Sequence, residues 1–217
     1  MKRESKAIPV LSRRTKKAII GFLIIAVALL VWFDRSYLSN NWPQNQTNTQ
    51  KNTADFAKYH GNTFTVINVV DGDTLDIDAD DEQSDSTRIR LWGIDTPETK
   101  NPNTPKMYFG AEASSFTTKL ILGKQVHIYL DEQNNTRGKY GRLLAYVQLP
   151  DGRFLNEILL NEGFAYADLR FKHSLYYKYQ QLESAARSQG KGLWGHVRHE
   201  QLPAWLQREK PQLLLKK

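Results

Sequence analysis

The chain has 217 residues, 40% of them hydrophobic and 24% charged, enough for one domain of ordinary size with extensions. It has no cysteine, which excludes disulfides, zinc thiolate centres and cysteine nucleophiles. The net charge of +7 is local: residues 1–17 hold seven Lys or Arg against Glu4, a balance of +6 that leaves +1 for the other 200. A nucleic-acid reading must therefore rest on local arrangement rather than on bulk charge.

After that basic tail (1–17) comes AIIGFLIIAVALLVWF, residues 18–33, without a charge. As a helix it reaches about 24 Å at about 1.5 Å per residue, slightly short of a hydrocarbon core about 30 Å thick. Snorkelling by Lys16 and Lys17 and an interfacial Trp32 make up the difference. Residues 18–35 are read as a single transmembrane anchor, with the basic flank in the cytoplasm and the rest of the chain outside it. A cleaved signal peptide is the main alternative, but Ala26-Val27-Ala28 lies inside the run and DRSYLSNN offers poor cleavage sites. A buried helix is the third. Residues 36–60, rich in Asn, Gln and Thr, read as a flexible polar linker.

TFTVINVV (63–70) is β-branched and partly alternating, a strand pattern. TLDIDAD (74–80) alternates strictly, with Leu75, Ile77 and Ala79 on one face; STRIRLWGI (86–94) puts Ile89 and Leu91 opposite Arg88, Arg90 and Trp92. AEASSFTTKLILG (111–123) has helical spacing and a closing glycine. QVHIYL (125–130) and RLLAYVQL (142–149) are strands around the turn DEQNNTRGKYG. FLNEILLNEG (154–163) and SLYYKYQQLESAARSQG (174–190) are helices ending at glycine. Three strands, a helix, two strands and two helices predict a mainly β fold with α additions over residues 61–197. The form is an OB-fold, a five-stranded antiparallel Greek-key barrel with about three helices. Residues 198–217 read as a C-terminal tail with a frayed end.

Two turns concentrate carboxylates against apolar strands: Asp71 and Asp73 in VVDGDTLDID, and Asp95 and Glu98 in RLWGIDTPETK, beside Arg90. Taken singly, each acid suits turn and capping chemistry. Together, Asp71, Asp73 and Asp95 offer hard oxygen ligands for calcium or magnesium, and Arg90 and Arg142 offer bidentate donors for a phosphate. An EF-hand is excluded, because no acid here starts its repeat. Asp76, Asp78, Asp80, Asp81, Glu82 and Asp85 read as a solvated strand face and hairpin tip. His60, His127, His173, His196 and His199 form no close pair at metal spacing and read as structural or solvent-facing, and Trp92 and Trp194 read as core.

VVDGDTLDI, RIRLWGIDTPETK, FGAEASSFTTKLI, GKYGRLLAYV and LNEILLNEGFAY occur in this order and spacing, and over residues 62–196 they resemble the thermonuclease, or staphylococcal-nuclease-like, family. The resemblance implies an OB-fold barrel and calcium-dependent hydrolysis of phosphodiester bonds in DNA and RNA. Asp73 and Asp95 match the calcium carboxylates, Thr96 a residue lending a backbone carbonyl, and Asp71 a supporting acid. Arg90, Glu98 and Arg142 match the catalytic set; Lys139 and Tyr140 match positions near the bound phosphate. Two departures stand out. Gly138 replaces an acid before the KYGR turn, which predicts a looser turn. Leu169 and Phe171 replace tyrosines, of which Phe171 can still stack on a base.

The expected partners are a nucleic-acid substrate and the membrane, with Ca2+ as cofactor. A non-catalytic OB-fold module binding nucleic acid or protein is the alternative, and a surface-anchored adhesion or scaffold protein a third reading. The presence of all five of Arg90, Glu98, Arg142, Asp73 and Asp95 favours an enzyme.

Overall fold

Period-two alternation gives each strand one apolar face, and five such strands bury those faces by closing on themselves. The computed structural model describes residues 46–82, 84–99 and 107–214. In chain order these form α1 (Gln46–Tyr59), β1 (Thr63–Asp71), β2 (Thr74–Ile77), β3 (Thr87–Leu91), β4 (Ile94–Asp95), α2 (Gly110–Ile121), β5 (Gln125–Tyr129) and β6 (Leu143–Gln148). Then come α3 (Leu155–Asn161), β7 (Tyr166–Ala167), α4 (Tyr176–Ser188), two short 3-10 turns and α5 (Ala204–Glu209). The closed barrel runs β1-β2-β3-β6-β5, and β4 pairs with β7 outside it.

The five strands are not all antiparallel, as the sequence reading expected. β3 and β6 run parallel, with Arg90 opposite Leu144. The reason is arithmetic: strands cannot alternate strictly around a ring of five, so one neighbouring pair must share a direction. Leu75, Ile77, Ile89, Val126, Ile128, Leu143 and Val147 fill the interior, joined by Leu155 and Leu159 of α3. A second apolar cluster, built on Tyr166, Leu193, Trp194, Trp205 and Leu206, fastens the C-terminal segments.

The polar stretch expected as a flexible linker is helical from Gln46 to Tyr59. Tyr59 is fully buried and its hydroxyl meets Thr87 Oγ1 at 2.9 Å. Asp55 is buried too, paired with Arg137 at 2.7 Å. Packing, not propensity, makes this helix: Phe56 and Tyr59 are too sparse a stripe to stand out among Asn, Gln and Thr. The segments 1–17 and 18–35 lie outside the described residues. Among the described residues no helix is long and apolar enough to cross a membrane.

The acidic face is also corrected. Asp76 is buried, not solvated, because Arg88 on the next strand clamps it at 2.8 and 3.2 Å while Asn68 donates at 2.9 Å. Asp81 is drawn to Arg137. The C-terminal tail is not frayed over its described part: His199 Nδ1 meets the Leu213 carbonyl at 2.8 Å, and Leu213 packs on the second cluster. His173 packs under Gly93, whose φ is +77° and where a Cβ would lie 2.4 Å from the imidazole. Burial pushes the His173 pKa down. Trp194 is in the core as expected, whereas Trp92 is only half-buried.

Candidate active site

The β1–β2 turn carries the first two acids. Asp71 Oδ1 accepts the Asp73 N–H at 3.1 Å, an Asx turn that aims the Asp73 side chain inward. Gly72 between them leaves room for Thr96, whose Oγ1 would stand 2.7 Å from any Cβ there. Thr96 uses that closeness: its N–H and hydroxyl both donate to Asp73 Oδ2, at 2.6 and 2.9 Å. Thr117 of α2 holds the turn from behind through the Gly72 carbonyl.

Arg90 projects from β3 into this acidic corner. One guanidinium nitrogen lies 2.9 Å from Asp73 Oδ2 and donates to the Ile94 carbonyl at 2.9 Å; the other donates to Asp95 Oδ1 at 2.6 Å. The positive group among the carboxylates is thus, first of all, an arginine. It does not fully balance them. Burial, then the neighbouring Asp73, pushes the Asp71 carboxyl up to about 6. Burial also pushes Asp95 up, against the opposing pull of Arg90. Burial alone would lower the Arg90 pKa, but Asp73 and Asp95 outweigh it and the net shift is upward.

Across the cleft the turn 138–142 presents Lys139, Tyr140 and Arg142. Among the described residues Arg142 makes no ion pair or side-chain hydrogen bond; its guanidinium lies 5.8 Å from the Tyr140 ring. Burial, then Arg90, pushes its pKa down, as expected for a cation facing another cation. Lys139 approaches the same ring at 5.5 Å, and Tyr140 is 75% exposed. The turn is not loose despite Gly138. Gly138 N donates to Arg142 O and Gly141 N to Gly138 O, both at 2.9 Å, and the preceding Arg137 is pinned by Asp55 and Asp81. Phe171 is half exposed, 5.7 Å from the Trp92 ring, whereas Leu169 turns to the second cluster.

These pieces enclose a cleft of about 590 Å³ lined by all ten sequence-derived candidates: Asp71, Asp73, Arg90, Asp95, Thr96, Glu98, Lys139, Tyr140, Arg142 and Phe171. Glu98 Oε1 accepts the Thr99 N–H at 2.9 Å. Sequence reasoning passed over Asp168 and Arg170, which also line the cleft. Arg170 pairs with Asp168 at 2.8 Å and approaches Asp95 at 3.5 Å. It also missed Trp205, whose indole donates to Asp95 Oδ2 at 2.7 Å. The alternation around Leu169 and Phe171 could have flagged Arg170; nothing local marks Trp205, 110 positions from its partner.

Among the described residues no three His, Asp or Glu side chains already converge in metal-holding geometry, since Arg90 separates Asp73 from Asp95. The donor set nonetheless fits a hard divalent cation. It is all oxygen, it lines one cleft, and the Asp71 and Asp95 carboxyls are pushed up by burial and, after it, by the nearby Asp73 charge, which a cation would offset.

The family model described as "Staphylococcal nuclease homologue" matches residues 88–196. The chain is 35% identical to the thermonuclease of Staphylococcus hyicus over 184 residues, 83% of this chain and 99% of that protein. It is 39% identical to the thermonuclease of Staphylococcus intermedius over 152 residues, 70% and 82% of the two chains. With the endonuclease YncB of Bacillus subtilis it shares 33% identity over 132 residues, 60% of each.

Proposed function

The chain belongs to the staphylococcal nuclease family and is a phosphodiester-hydrolysing nuclease, and on that premise we propose that it cuts DNA or RNA by calcium-assisted attack of water. The observation that carries this reading is the pairing of a committed arginine with an uncommitted one across a single cleft. Arg90 is locked by Asp73 and Asp95, while the Arg142 guanidinium is unspent.

Hydrolysis of a phosphodiester loads negative charge on the equatorial and leaving oxygens, so catalysis is mostly positioning and charge stabilisation. Arg142 grips the phosphate from the open side and Arg90 presents a fixed charge from the barrel side. Both favour the phosphorane-like transition state over the ground state. Glu98 orients or deprotonates the attacking water. Lys139 and Tyr140 contact the phosphate, and Phe171 gives a base a face to stack on. Asp71 supports Asp73 from within the turn. Held by Asp73, Asp95 and the Thr96 carbonyl, calcium would supply Lewis-acid stabilisation of the phosphate charge. So few protein ligands suit weak binding, with a Kd of about 10⁻⁴–10⁻³ M, as in extracellular modules.

The full chain should cut single-stranded DNA, duplex DNA or RNA in millimolar calcium and stop in chelator. Binding without cutting under every metal would replace this reading with that of a non-catalytic module. The uncharged run 18–33 and its basic flank support a further part of the reading, that residues 18–35 anchor the nuclease to a membrane and leave it outside the cytoplasm. Protease added to intact cells should remove the nuclease domain. A domain released freely from the cells, or one protected from protease, would sink the anchor.

A further inference from the structure

The C-terminal helix reaches the acidic corner from outside the segment 88–196. α5 is only six residues long, yet both its ends are fastened. Leu202 and Leu206 are buried in the second cluster, and Lys210 reaches Glu183 of α4 at 3.6 Å. Between these points Trp205, 6% exposed, directs its indole N–H to Asp95 Oδ2 at 2.7 Å. Its ring lies under the Arg170 guanidinium at 4.7 Å. Arg170 is gripped by both oxygens of Asp168 and stands 3.5 Å from Asp95 Oδ1, the oxygen that Arg90 also holds.

The two oxygens of Asp95 therefore have different neighbours, arginines on Oδ1 and the indole on Oδ2. A carboxylate held only by Arg90 could rotate about its Cβ–Cγ bond and follow that cation. With the indole on the second oxygen the rotation is blocked, and the remaining lone pairs keep one direction. Partners of this kind behind a metal-binding carboxylate fix its orientation, and their loss costs about 10- to 100-fold in metal affinity.

We propose that Trp205 is a positioning residue of the nuclease site, locking the Asp95 carboxylate in the orientation that receives the divalent cation. The C-terminal helix is then a working part of the site. This rests on the calcium reading above.

The test uses the full chain with calcium alone as probe. Trp205→Phe keeps a ring on Arg170 and in the cluster and removes only the N–H. Calorimetric titration should show calcium affinity weakened about tenfold, with the urea midpoint in chelator close to wild type. Leu206→Ala, which loosens the same helix without touching Asp95, should lower the urea midpoint and leave calcium affinity unchanged below the unfolding transition. Unchanged affinity in Trp205→Phe overturns the proposal alone, as does an equal loss in both variants. A wild-type chain that binds no calcium overturns the calcium reading and this proposal together. Should Trp205→Phe fold poorly, Arg170→Lys carries the test, since it keeps the charge beside Asp95 but removes the guanidinium that lies over the indole ring. It should weaken calcium binding in the same direction, and wild-type affinity in that variant would refute the proposal.

Discussion

Asp55→Asn tests whether α1 belongs to the folded domain and steadies the turn 138–142. Asp55 accepts from Arg137 Nε at 2.9 Å and Nη2 at 2.7 Å, and from Thr136 Oγ1 at 2.6 Å. The pair is well shielded, with 12% and 7% of the two side chains exposed. Removing one partner of a buried pair costs about 3–5 kcal/mol, because the other charge is left uncompensated. Here Asp81 still faces Arg137, and asparagine still accepts from Thr136, so the low end applies, about 3 kcal/mol. For a domain of this size that lowers Tm by about 6–12 °C. Thermal unfolding in chelator measures it, and a cycle with Arg137→Met isolates the pair: the double variant should lose less stability than the sum of the two single changes. A loss below about 0.5 kcal/mol, the usual surface value, or simple additivity in the cycle, would refute the claim that Asp55 and Arg137 join α1 to the turn 138–142.

Glu98→Gln and Arg142→Ala should each cut turnover by at least about 10²-fold while leaving the unfolding midpoint in place; near-normal turnover in either removes that residue from the chemistry. Asp71 predicts a pH dependence. Its carboxyl is raised from 3.8 to about 6 by burial and then by Asp73. A raised native pKa contributes stability that is complete below the unfolded value and lost as pH rises through the folded one. In chelator the wild type should therefore lose stability relative to Asp71→Asn between about pH 4 and pH 7, as read by urea unfolding. A constant difference between the two proteins would show that Asp71 is not raised.

The barrel was readable because several of its strands are short and carry alternating apolar positions, as in Leu75 and Ile77 or Ile89 and Leu91. The acidic corner was readable because turn chemistry is local: Asp71, Gly72 and Asp73 announce their own geometry. What escaped notice depends on partners distant in sequence. Asp76 looked solvated because its burial is created by Arg88 on another strand. α1 looked like a tether because its stabilising contacts, Asp55 to Arg137 and Tyr59 to Thr87, are supplied by the barrel. Trp205 and Arg170 acquire meaning only once the C-terminal segment folds back onto Asp95. Local pattern thus revealed the barrel and side chains that line one cleft, while the groups packed behind them are legible only in three dimensions.

The parallel seam has a kinetic consequence. Arg90 and Arg142 approach one another only when β6 zips onto β3, a contact that closes a loop of about fifty residues and whose entropy must be met before any pairing is gained. In a chain whose other strands have formed but whose ring is still open, Arg142 has no place opposite Arg90. A refolding nuclease of this build should therefore stay silent until β6 joins β3, and recovery of cutting should follow that pairing rather than the earlier appearance of secondary structure.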